Sequence, residues 1–104
     1  MTRVELVRLV GDVLRQLDLK KDRSADLSRV VPTEVRNALA KQQLKIAITE
    51  LDESTPTFFN ASEEILAIDA RLRGTAESAD DCVALVDSLR SLVKTLDGLV
   101  TSGN

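Results

Sequence analysis

The run from Ala79 to Val100 constrains this chain most. With Cys82 at heptad position a, the a positions hold Cys82, Leu89 and Leu96, and the d positions hold Leu85, Leu92 and Leu99. The e positions hold Ala79, Val86, Val93 and Val100, while Asp80, Asp87, Arg90, Ser91, Lys94 and Asp97 fall on the opposite side. An apolar stripe at this spacing with a charged back describes a helix with one dry face. Ser78 with Asp81 three residues later forms a capping-box pattern, so a helix is predicted over 78–101. The stripe is wider than a plain a/d seam, which calls for two helical neighbours in a bundle.

Three further helices follow from the same reasoning. Thr55-Pro56 is a start signal, because Pro at the first helical position gives up only a donor that has no partner there. Phe58, Ala61, Ile65, Ile68 and Leu72 continue at helical spacing and Gly74 closes the segment, predicting a helix over 56–73. Asn60 with Glu63 is a competing start. At the N-terminus, Leu6, Val10, Val13 and Leu17 form a stripe over 2–19, with Val7 and Leu14 beside it and Gly11 in its middle. Thr33 to Glu53 is rich in helix formers, but its apolar residues divide into two faces. Val35, Leu39 and Ile46 lie on one, and Ala40, Leu44, Ala47, Ile48 and Leu51 on the other. Either this helix is central and buries both faces, or one face is left for another chain. Between the first two helices, Ser24 can cap a short helical turn at 24–30, with Leu27, Val30 and Val31 dipping into the core before Pro32.

The expected fold is therefore all-α, an up-and-down bundle of four main helices in a single domain over 1–104. Short connections at 53–55 and 74–77 make the last three helices antiparallel to their sequence neighbours, whereas the longer first connection leaves the direction of the first helix open. No alternation of period two is sustained, and no apolar run is long enough to span a bilayer.

Composition narrows the chemistry. The chain has no His, Trp or Tyr, one Cys and one Met. Without imidazole there is no histidine base, no histidine metal ligand and no Glu-x-x-His pair of the kind that carboxylate-bridged di-iron bundles use. Cys82 sits at a core position with Asp80 and Asp81 as its nearest sequence charges, a setting that disfavours a reactive thiolate. A lone cysteine and the lack of a signal-type N-terminal run point to a reducing, cytoplasmic location. The four scattered glycines form no phosphate-binding loop. Glu63-Glu64 and Asp80-Asp81 fall near possible helix starts, where they favour the dipole, and Asp52-Glu53 reads as solvated. No enzyme activity, metal or cofactor is expected.

Charge divides unevenly along the chain. Residues 1–52 carry 10 basic and 8 acidic side chains, and residues 53–104 carry 4 and 9. The expected function is a protein–protein interaction module, such as an adaptor, an assembly or secretion chaperone, or a small regulator. It would bind another protein or a second copy of itself through Val35, Leu39, Ile46, Phe59 and Leu66. The alternative is a nucleic-acid-associated regulator using Arg23, Arg29, Arg36, Lys41 and Lys45. The net charge of -3 and the lack of aromatic partners beside the Lys20, Lys21, Arg23, Arg29 cluster count against it. A carboxylate enzyme with a divalent cation is the remaining and weakest reading.

Overall fold

The computed structural model describes residues 1–23, 32–73 and 79–102, with side chains at 1–18, 32–73 and 83–101. Within them are α1 (Arg3–Arg23), α2 (Thr33–Ile48), α3 (Pro56–Arg73) and α4 (Ala79–Ser102), and no strand occurs among the described residues. The turn expected at 24–30, the Gly74 and Ser78 caps, and the side chains of Lys20, Lys21, Arg23, Arg29, Asp80, Asp81 and Cys82 lie outside the described residues.

Local chemistry sets the helix ends. Thr2 and Glu5 form a capping pair: the Glu5 amide donates to Thr2 Oγ1 at 3.2 Å, and that hydroxyl donates to the Glu5 carboxylate at 3.3 Å. The Thr55 hydroxyl likewise accepts the Phe58 amide at 3.2 Å, which starts α3 at Pro56 and leaves Asn60 inside the helix. Helix α2 begins as expected but stops at Ile48, short of the expected 53. Thr49 turns extended, at φ -102 and ψ 134. Beyond it Asp52 takes the backbone for its own turn, accepting the Ser54 amide at 2.9 Å and the Ser54 hydroxyl at 2.6 Å. Such local side-chain bonds compete with continued helix. The freed carbonyls of Ala47 and Thr49 accept from Arg3 Nη1 at 3.3 and 2.9 Å, placing a cation at the negative end of α2.

Apolar burial then assembles the helices. Leu6, Val10, Val13, Leu14 and Leu17 of α1 meet Phe58, Ala61, Ile65, Ile68 and Leu72 of α3 and the Leu85, Leu89, Leu92, Leu96, Leu99 row of α4 in one core. Val93 and Val100 are only half-buried at its edge. Helix α1 packs beside α2 and α3, and α4 packs beside the same two, so α2 and α3 face each other across a diagonal. Arg36 pairs with Asp18 at 2.9 Å while Arg3 reaches the other end of α2, which makes α1 and α2 antiparallel. Gln16 bonds Asp69 at 2.8 Å and Arg90 meets Glu34 at 3.6 Å, so α1 runs parallel to α3 and α2 parallel to α4. Thr95 bonds Glu64 and Arg71 bonds Ser88, which sets α3 and α4 antiparallel.

The helices therefore alternate up and down along the chain, yet α2 and α3 are not neighbours. Residues 49–55 cross the end of the bundle between them. Seven residues reach at most about 25 Å, ample for the roughly 13 Å diagonal of a square with 8–10 Å sides. Gly11 serves the α1–α2 seam. A Cβ there would lie 2.8 Å from Gln43 Nε2, and its absence lets Gln43 donate to the Val7 carbonyl at 3.2 Å.

Candidate functional site

Three of the five residues expected to meet a partner are structural. Val35, Leu39 and Ile46 are buried in the core, so the inward face of α2 is the one expected to be spare. The physical reason is that α2 lies between α1 and α4 and directs toward them the face that also carries Gln42. Its opposite stripe is the exposed one: Leu44 is 69% and Ile48 85% exposed, with Ala47 exposed beside them and Ala40 half-buried. Counting apolar residues favours the wrong face, because two of the five on the outer side are alanines with little surface to bury.

Phe59 and Leu66 remain on the surface, 63% and 45% exposed. Seven residues apart, they share the flank of α3 that carries Asp69 toward α1, where Gln16 bonds it. Beside this strip on α3 stand the exposed Glu63 and the largely buried Asp69. The strip is thus apolar in the middle, with the carboxylate of Glu63 exposed at its edge. Arg73, bonded to Asp69 at 2.9 Å, is the cation at its C-terminal end.

A groove of about 730 Å³ opens between α2 and α4, lined by Val35, Ala38, Gln42 and Val93 with Glu34, Arg90, Ser91, Lys94 and Asp97 at its rim. Its charges largely satisfy one another: Glu34 pairs with Arg90, and Asp97 meets both Lys45 at 4.0 Å and Gln42 Nε2 at 3.3 Å. Gln42 is only 6% exposed, and its Oε1 is buried without a hydrogen-bond partner.

The charged residues sort differently from the sequence reading. Glu63 and Glu64 lie in the interior of α3 and cap nothing; Glu64 accepts the Thr95 hydroxyl at 3.1 Å. Asp52 and Glu53 are exposed but engaged, Asp52 in its turn and Glu53 with the Arg3 amide at the start of α1. The Ser54 hydroxyl, and then its amide, hold the Asp52 carboxyl below its ordinary 3.8. Of the basic residues named for nucleic acid, Arg36 makes a two-pronged pair with Asp18, whose hydrogen bonds push its pKa up, and Lys45 faces Asp97. Arg23 and Arg29 lie outside the described side chains. Among the described residues, no group of three or more acidic or cysteine side chains could hold a metal ion.

The exposed Leu44–Ile48 stripe was readable as an apolar i, i+4 pair, but nothing local distinguishes it from a core pair. The Thr2–Glu5 cap carries a plain Thr-x-x-Glu signal. No helix among the described residues is long and apolar enough to cross a membrane. No protein-family model matches the chain, and comparison with curated proteins and with solved structures finds no match either.

Proposed function

We propose that the chain is a non-enzymatic protein–protein interaction module of a reducing, cytoplasmic compartment, acting as an adaptor, an assembly or secretion chaperone, or a small regulator. The observation that carries this reading is the Phe59–Leu66 strip. A phenylalanine with most of its surface in water, seven residues from a half-exposed leucine on the same flank, leaves apolar area that a partner's helix would cover. The exposed Glu63, four residues from Phe59 and three from Leu66, favours an amphipathic segment bearing Lys or Arg beside its apolar face. Burial of Phe59 supplies affinity, and the charges supply orientation and encounter rate.

The test replaces Phe59 with a photo-crosslinking residue in the full chain and compares it with the same chain carrying Leu66→Asp. Both positions are exposed, so helicity and melting should stay within about 0.5 kcal/mol of the parent. The reading expects a discrete crosslinked protein whose captured segment is a basic amphipathic helix and whose yield collapses with Leu66→Asp. Equal crosslinking in both chains would remove the strip as a docking surface.

A further inference from the structure

We propose that the bundle has a built-in opening edge: α2 separates from α4 while it stays bound to α1, and the α1–α3 contact serves as the hinge. The opening uses neither Phe59 nor Leu66, so this proposal and the docking strip on α3 can fail separately.

The polar links across the four helix seams single out this edge. Between α1 and α2, Arg36 grips both oxygens of Asp18 at 3.1 and 2.9 Å, and Arg3 donates to the Thr49 carbonyl at 2.9 Å. Between α1 and α3, Gln16 donates to Asp69 at 2.8 Å. Between α3 and α4, Thr95 donates to Glu64 at 3.1 Å and Arg71 to Ser88 at 3.3 Å. The α2–α4 links are longer or shared. Gln42 and Lys45 approach the same oxygen of Asp97, at 3.3 and 4.0 Å, and Arg90 stands 3.6 Å from Glu34 with both side chains more than half exposed. Good N–H···O bonds lie near about 2.9–3.0 Å, and exposed ion pairs at the longer distances contribute little.

Packing repeats the pattern. The groove of about 730 Å³ lies on this seam, lined by Val35, Ala38 and Val93, and Val93 is only half-buried, as are its heptad equivalents Val86 and Val100. A gap of this kind forfeits the dispersion that close contact supplies. Helix α2 also buries the shortest apolar row among the described side chains, Val35, Leu39 and Ile46, against five residues each from α1, α3 and α4. Its other buried side chain is Gln42, whose Oε1 has no hydrogen-bond partner in the closed bundle. Separation hydrates that oxygen, so opening relieves a cost that only the closed state carries.

The chain permits the movement. Residues 49–55, the link from α2 to α3, can reach about 25 Å but cross a diagonal of roughly 13 Å. That slack lets α2 move away from α4 without drawing α3 after it. Opening bares the inner faces of α2 and α4 in a sub-global event, below the free energy of complete unfolding.

Thiol labelling of the full chain reads the opening, with peptide mass spectrometry following each position apart from Cys82. Leu39→Cys and Ile46→Cys place thiols at fully buried positions of α2, two sites in case one variant folds poorly. Val13→Cys places one at a fully buried position of α1, three residues before Gln16 on the side that meets α3. Urea denaturation of each variant gives the labelling rate that complete unfolding alone allows. The expected result is labelling of the α2 thiols at least about tenfold above that rate, with a shallower urea dependence, and labelling of the α1 thiol equal to it. Gln16→Ala removes a bond that persists in the opened state. It should therefore speed labelling of the α1 thiol and leave that of the α2 thiols unchanged. The proposal is overturned when the α2 thiols label only as complete unfolding allows, when the α1 thiol opens together with them, or when Gln16→Ala speeds both alike.

Discussion

Replacing Gln42 with Met should stabilise the fold, although it removes a hydrogen bond seen in the structure. The Gln42 side chain is almost wholly buried, its Oε1 has no partner, and its Nε2 reaches Asp97 at 3.3 Å. A buried carbonyl without a partner costs about 1–3 kcal/mol. The Asp97 bond returns little, because that carboxylate side chain is 59% exposed and shared with Lys45 at 4.0 Å. A partly solvated, shared bond of this kind is worth about 1 kcal/mol or less. Met has nearly the same length without the terminal fork and adapts to irregular space, so packing changes by little. The balance favours Met by about 1 kcal/mol, which for a domain of this size raises the midpoint of thermal unfolding by about 4–8 °C. Circular dichroism melts and urea titrations at equal m-value measure it. A loss of 1 kcal/mol or more at unchanged m would refute the reasoning, since it would mean that Oε1 is satisfied in the folded protein. The Gln42–Asp97 bond and the Glu34–Arg90 pair both link α2 to α4.

Three other outcomes follow from particular contacts. Gly11→Ala gains about 1 kcal/mol of helix propensity but displaces Gln43 from the Val7 carbonyl, a loss of about the same size. It should be neutral in the parent and stabilising by about 1 kcal/mol in a Gln43→Ala chain, a cycle that urea denaturation resolves. Leu39→Glu should abolish cooperative unfolding, because a fully buried position would receive an unpaired charge costing several kcal/mol against a total stability of about 5–15; a native-like melt would return Leu39 to the surface. The Asp52 carboxyl should titrate below 3.8 by NMR and move back toward that value in Ser54→Ala. Because its folded value is the lower one, its contribution to stability is present above 3.8 and is lost as pH falls through the folded value.

The helices themselves were legible because their signals are local. The heptad row of Leu85, Leu89, Leu92, Leu96 and Leu99, and Thr55-Pro56 ahead of Phe58, each lie within a few turns of chain, and the structure keeps both. The end of α2 was read too far along because Ile48-Thr49-Glu50-Leu51 contains no Gly or Pro. What ends it is the Asp52 turn together with Arg3, which lies more than forty residues away in the chain.

The sequence by itself determined four amphipathic helices, most of their boundaries and the apolar rows of α1, α3 and α4, because periodicity and capping depend only on residues close in the chain. Tertiary structure decided which face of α2 is buried and which helices are neighbours. Two apolar stripes on one helix are equivalent until other helices arrive, and packing with α1 and α4 buries Val35, Leu39 and Ile46 and leaves Leu44 and Ile48 in water. The same packing puts α2 and α3 on a diagonal, with α1 parallel to α3 and α2 parallel to α4. Polar pairs between residues far apart in the chain, such as Gln16 with Asp69 and Gln42 with Asp97, hold that order. No local pattern encodes it, because each pair exists only after the helices have met.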